Sequence, residues 1–163
     1  YNMRTALNGP RRFCLNNMTL IFWNTLTIES HRVSINNFVD IQPYAGLRRL
    51  TITQGLELSP TAELNIRPKS ILSVREIYAP DIFSTIILDS AQLILRSTDT
   101  SMFIFKNPDH PLSPGRGRLL VKGQSELKSL SAGLKLLVPS QSSLIFDNSA
   151  QLKLGLPAGM SIF

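Results

Sequence analysis

Ala62-Glu63-Leu64-Asn65-Ile66 is followed closely by Ser70-Ile71-Leu72-Ser73-Val74, and the same small phrase then returns along the chain. It reads Ala91-Gln92-Leu93-Ile94-Leu95, Ser101-Met102-Phe103-Ile104-Phe105 and Ala132-Gly133-Leu134-Lys135-Leu136. It comes back as Ser142-Ser143-Leu144-Ile145-Phe146, Ala150-Gln151-Leu152-Lys153-Leu154 and Ala158-Gly159-Met160-Ser161-Ile162. Each phrase opens on a small residue, passes one spacer and sets two apolar residues around a single position. Side chains two apart on an extended chain share a face, so every phrase predicts a short strand with one buried side.

The alternation extends outward from this block. It begins at Thr19 and runs through Leu26/Ile28, Val33/Ile35, Val39/Ile41, Leu50/Ile52 and Leu56/Leu58, and resumes after Pro80 at Ile86/Leu88. No helical spacing persists over a useful window, and Ser, Thr, Val, Ile and Pro are poor helix formers. The chain is therefore expected to be all-β. Residues 1–18, rich in Asn with Gly9, Pro10, Arg11 and Arg12, read as an irregular N-terminal arm or cap. Residues 19–163 read as a single β-repeat domain with a Pro/Gly-rich excursion at 106–118.

Two architectures fit short strands of this kind. In a β-solenoid they are the sides of stacked coils; Leu56, Leu64, Leu72 and Ile82 follow one another by steps of eight, eight and ten residues, and Leu134, Leu144, Leu152 and Met160 by ten, eight and eight. Each set closes over the same length, which predicts roughly three-sided coils. The alternative is an antiparallel β-sandwich or jelly roll, in which Ile86-Leu88 and Leu93-Leu95 are hairpin arms around Asp89-Ser90-Ala91-Gln92. The apolar pairs are too many and too closely spaced for a sandwich, which carries about seven to nine strands separated by real turns. The solenoid is the leading prediction. The small residue ahead of each Leu then sits at a corner, where a hydroxyl can bond neighbouring backbone.

The 163 residues are enough for one domain with its own core, and the apolar share of 43 % excludes a disordered chain. A formal charge of +6 admits a polyanion or nucleic acid as partner, or else reflects lysines that guard exposed strands against edge pairing. No apolar run approaches the roughly 18 residues of a membrane helix. The chain opens on Tyr1 rather than Met, so the expectation is a processed, trimmed or incompletely built start, which is compatible with a removed signal peptide or transit segment that the sequence does not show. The single Cys14 forms no internal disulfide and is expected to be a small buried apolar residue.

Catalytic signals are weak. Asp109, His110 and Ser113 lie near one another in the excursion, but no nucleophile elbow accompanies them. Spacings that would ligate a metal are missing, and no cofactor is expected. Ser113-Pro114-Gly115-Arg116-Gly117-Arg118 is the most suggestive segment, because glycine N–H groups and two arginines can fork onto phosphate or sulfate oxygens. Arg11, Arg12, Arg116 and Arg118 are the candidate polyanion contacts. Phe103, Phe105, Phe146 and Trp23 are read as core, Tyr44 and Tyr78 as exposed loop residues.

The phrase Asp147-Asn148-Ser149-Ala150-Gln151-Leu152-Lys153-Leu154 resembles the repeats of bacterial surface β-solenoids, such as autotransporter passengers and haemagglutinin-type adhesins. The likeness covers mainly residues 60–163 and implies no particular site residue. The resulting expectation is a non-enzymatic structural or adhesion protein at the cell surface or outside the cell, self-assembling as a homo-oligomer or part of a larger assembly. The alternatives are a viral capsid or fibre subunit whose basic arm touches nucleic acid, and an accessory subunit of an organellar or envelope complex.

Overall fold

The computed structural model describes residues 12–131, 133–155 and 160–163. It is a stack of about six coils of parallel β-structure, with no helix among the described residues. The strands are β1 (Arg12–Phe22), β2 (Leu26–Ile28), β3 (Arg32–Pro43), β4 (Arg48–Leu58), β5 (Glu63–Ile66), β6 (Ser70–Tyr78), β7 (Pro80–Asp89) and β8 (Gln92–Leu95). They continue as β9 (Ser101–Phe103), β10 (Arg116–Lys122), β11 (Gln124–Ser129), β12 (Lys135–Leu137), β13 (Ser143–Phe146), β14 (Gln151–Gly155) and β15 (Ser161–Ile162).

Three faces result. The first stacks the later halves of β1 and β3 on β5, β7, β10 and β13. The second stacks β2, the start of β4 and of β6, then β8, β11 and β14. The third carries the early halves of β1 and β3 with the ends of β4 and β6, followed by a separate sheet of β9, β12 and β15. Long strands such as β3 and β4 turn a corner and serve two faces. Every strand pair is parallel, so the sandwich alternative fails: Ile86-Leu88 and Leu93-Leu95 lie on different faces and pair with other coils, not with each other.

Stacking puts like on like. On the second face Leu26, Leu50, Leu72, Leu93, Leu127 and Leu154 are successive register partners. On the first, Leu20, Ile41, Ile66, Leu88, Val121 and Phe146 form the matching ladder. The middle members of both are fully buried, and together with Val33, Leu56 and Ile77 of the third face they fill the axis of the coil. Burial of this kind supplies the main driving force, at about 25 cal/mol per Å² of apolar surface.

The corners follow from residue type. Between the first and second faces the chain enters the left-handed region at Gly46, Lys69, Ser90 and Gly123. These corners are tied across coils: the Lys69 N–H donates to the Ser90 carbonyl at 3.3 Å and the Ser90 N–H to that of Lys122 at 3.1 Å. Between the third and first faces Asn17 and Asn37 take the same conformation, which Asn tolerates better than most side chains. The Asn37 amide donates to the Asn16 side-chain oxygen at 2.8 Å. Small residues do occupy inside corners: Ala62, Ser70, Ala91 and Ser125 are buried, and the Ser70 hydroxyl donates to the Ile41 carbonyl at 3.1 Å.

Several expectations need correction. β1 begins at Arg12, so regular structure enters the segment read as an arm; residues 1–11 lie outside the described ones. Coil length is not constant, because Leu56 lies against Ile77 rather than Ile82, which is exposed. Trp23 is 63 % exposed while Tyr78 is buried, the reverse of the sequence reading. Met102 and Ile104 face the core with Phe105, leaving Phe103 half-buried. Cys14 is exposed and accepts a hydrogen bond from the Asn36 amide.

Candidate functional site

The four arginines singled out in the sequence do not form one patch. Arg11 lies outside the described residues, and Arg12 opens β1 in register with Arg32 on the first coil. Arg116 and Arg118 lie four steps away along the strand order β1-β3-β5-β7-β10, a rise of roughly 19 Å at about 4.8 Å per strand. Arg116 is exposed, opposite Pro80, beside a depression of about 300 Å³ lined by Pro114, Ser140 and Gln141. Arg118 is half-buried, with its guanidinium 5.9 Å from the centre of the Phe83 ring.

The glycines between them are not an anion cradle. The N–H of Gly115 donates to the Phe105 carbonyl at 2.8 Å and that of Arg116 to Ala79 at 2.8 Å. The N–H of Gly117 donates to the Ser142 hydroxyl at 3.2 Å. All three donors are used by the fold. Glycine is required here because chains approach closely: a Cβ on Gly117 would stand 2.9 Å from both Ala79 and Phe105.

The densest arrangement of charge lies on the third face, where the excursion leaves the solenoid. Arg32, Glu57, Tyr78 and Lys106 come from neighbouring coils, set side by side by register. Arg32 pairs with the Glu57 carboxylate at 2.9 Å and lies over the Tyr78 ring at 4.1 Å. The opposite partner of Arg32 is Gly55, whose missing side chain leaves room for that ring; a Cβ there would be 2.7 Å from it. Glu76 accepts from Lys106 at 2.7 Å with one oxygen and from the Tyr78 hydroxyl at 2.5 Å with the other. Arg32 also reaches the Pro108 carbonyl at 3.5 Å, inside the excursion.

Here both carboxylate oxygens of Glu76 are engaged and each cation has an anion. The arrangement acts as a clamp seating the excursion on the coil; it offers no free general base. Burial pushes the Tyr78 hydroxyl up to about 12, helped by the adjacent Glu76 carboxylate. Burial also pushes Glu76 up, but its bonds to Lys106 and Tyr78 outweigh that and hold it below the ordinary value of 4.5.

A carboxylate held low stabilises the fold above its unfolded pKa and loses that contribution as pH falls through the folded value. A phenol held high stabilises below its unfolded pKa and loses it as pH rises. The clamp is therefore expected to weaken on the acid side below 4.5, and on the alkaline side between 10 and about 12. Urea midpoints measured across pH check this: Tyr78→Phe is expected to flatten the alkaline limb, and a limb left unchanged would disprove the assignment.

Two further ion pairs are likewise spent within the fold. Arg67 binds Asp40 through two nitrogens at 2.9 and 3.2 Å, and Lys128 pairs with Glu126 at 3.1 Å. His110 sits exposed in the excursion with Asp109; the Asn107 side chain accepts from the backbone N–H of both. No group of three or more potential metal ligands occurs among the described residues.

The second notable region is the sixth coil. Phe146 and Leu154 occupy inward positions of their ladders, in register with the fully buried Val121 and Leu127. They are nevertheless 52 % and 37 % exposed, since no described coil covers them. β13, β14 and β15 each present an unpaired edge at this level. The alternation of β13 placed Phe146 on the inner side, as read from the sequence, but not its place at the uncovered level.

The fold is that of a parallel β-solenoid. No family model matches the chain, and neither a curated protein nor a solved structure is found to be similar to it. No helix among the described residues is long and apolar enough to cross a membrane.

Proposed function

We propose that the protein is a non-enzymatic structural or adhesion protein, a rigid rod segment that presents its sides and joins a second copy through its sixth coil. The observation that carries this is the uncovered inward pair, Phe146 and Leu154, beside three free strand edges. A flat parallel edge with apolar residues behind it is a template for another strand layer. The occupant that fits three edges at once is another coil of the same cross-section, which a second copy supplies where the same polypeptide does not. In a stack of repeats each layer is stabilised mainly by its neighbours, so covering this layer gains an entire interface. The use of acidic groups in ion pairs supports a non-catalytic role, since Glu57, Glu76, Asp40 and Glu126 all have basic partners.

Light scattering over a concentration series tests the reading. The chain is expected to associate as concentration rises, and Phe146→Lys with Leu154→Lys is expected to return it to the monomer. A monomer that persists at high concentration would reject end-on assembly.

A further inference from the structure

A shallow groove runs along the second face beside the first corner, parallel to the axis of the coil. Its larger part, about 610 Å³, is lined by Leu47, Gln92, Gln124, Glu126, Gln151 and Lys153. A second part, about 380 Å³, shares Leu47 and continues past Arg48, Arg49 and Ile71 to Asn24 and Thr25. The groove thus passes from the first coil to the sixth, a length of roughly 25 Å at about 4.8 Å per strand. Register explains its straightness: Arg49, Ile71, Gln92, Glu126 and Lys153 are successive partners in one outward row, with Gln124 opposite Gln151 beside it.

Three features point to a ligand. The side-chain amides of Gln92, Gln124 and Gln151 make no hydrogen bond to another described residue, so three amides, each with two donors and an acceptor, are available in a row. The charge is predominantly positive: Glu126 is paired with Lys128, whereas Arg48, Arg49 and Lys153 have no carboxylate partner among the described residues. At the first-coil end Trp23 and Tyr44 stack with ring centres 3.3 Å apart and planes 18° from parallel, and both are more than half exposed. The Arg48 Nε donates to the Trp23 carbonyl at 3.0 Å and ties this aromatic pair to the groove. Each ring covers one face of the other, and the exposed remainder of the pair is an apolar, flat surface in water.

We propose that the groove binds an extended glycan bearing carboxylates. The amides meet sugar hydroxyls, Arg49 and Lys153 meet the acid groups, and the Trp23–Tyr44 pair stacks on a ring at one end. A single-stranded nucleic acid is the poorer match, because successive bases call for aromatic platforms repeated along the track, and here amides occupy that length. The groove lies along a side of the rod, and its occupancy does not depend on whether copies join end to end.

Calorimetric titration of the full chain with a hexameric oligogalacturonate, a neutral β-glucan hexamer and a hexanucleotide, at fixed salt, tests it. Saturable binding of the acidic hexamer is expected, weakened about tenfold or more, some 1.4 kcal/mol, by Trp23→Ala and by Gln124→Ala with Gln151→Ala. Lys153→Gln is expected to weaken the acidic hexamer alone, and Lys135→Gln on the third face to change nothing. Absence of oligosaccharide binding, equal affinity for the neutral chain, indifference to the paired Gln substitutions, or tighter binding of the hexanucleotide would overturn it. Circular dichroism confirms that each variant keeps its strands.

Discussion

Leu93→Ala is expected to destabilise the protein by about 3 kcal/mol, within the 2–5 kcal/mol typical of a buried Leu cut to Ala. Leu93 is fully buried, with Leu72 on one side and Leu127 on the other along the ladder of the second face. Removing its side chain opens a void that strand spacing cannot close, because backbone hydrogen bonds hold the coils at a fixed rise. The loss touches the interfaces on both sides, and in a linear stack those interfaces carry the cooperativity. Leu154 is the same residue in the same ladder, but 37 % exposed on the sixth coil. Leu154→Ala is therefore expected to cost about 1 kcal/mol or less, since little transfer energy and no enclosed cavity are involved. Urea denaturation of the two variants gives the comparison. Equal costs would mean that burial along the axis does not organise stability here.

The contrast shows which parts of the fold are legible in the primary structure. Period-two alternation identifies the strands and their inward faces, so Leu64, Leu72, Leu93 and Leu136 are found in the core where the phrase places them. It does not fix which coil a strand stacks on. Corners absorb or add residues without disturbing the alternation, and so Leu56 meets Ile77 while Leu88 reaches across the excursion to Val121. The side-chain clamp was invisible for the same reason: Arg32, Glu57, Tyr78 and Lys106 become neighbours only once the register is known. Aromatic residues misled in both directions. Trp23 ends an apolar run yet lies beyond the last inward position, at a corner, and Tyr78 beside Ala79 and Pro80 is held down by Arg32 and the absence of a side chain at Gly55. The Gly-rich segment carries a signal of close packing that resembles a signal for anion binding, and only the fate of its N–H groups separates the two.

That segment is also where a single methyl group is expected to do most damage. A Cβ on Gly115 would lie 2.3 Å from the Lys106 carbonyl oxygen, 2.5 Å from its carbon and 2.8 Å from the Ala79 oxygen. All three are backbone atoms, so no side chain can swing away to make room. The Gly115 N–H bonds the Phe105 carbonyl, and the Ala79 and Lys106 backbones are themselves linked by a 3.0 Å hydrogen bond from the Ala79 N–H. Gly115→Ala must therefore part chains that the fold ties together, either lifting the excursion off the coil or separating adjacent coils. Overpacking of a well-filled site costs about 1–3 kcal/mol, and the upper end is expected here because the obstruction is main chain. If the excursion lifts, Lys106 leaves Glu76 and the loop from Asn107 to Ser113 becomes a substrate for proteolysis. Gly133→Ala is the control. Its Cβ would meet nothing within 4 Å, so only the strain of a φ of 65° is at issue, worth about 1 kcal/mol. A Gly115 variant that melts with the Gly133 variant and resists protease like the parent would show that the meeting of these three backbones is not what holds the excursion in place.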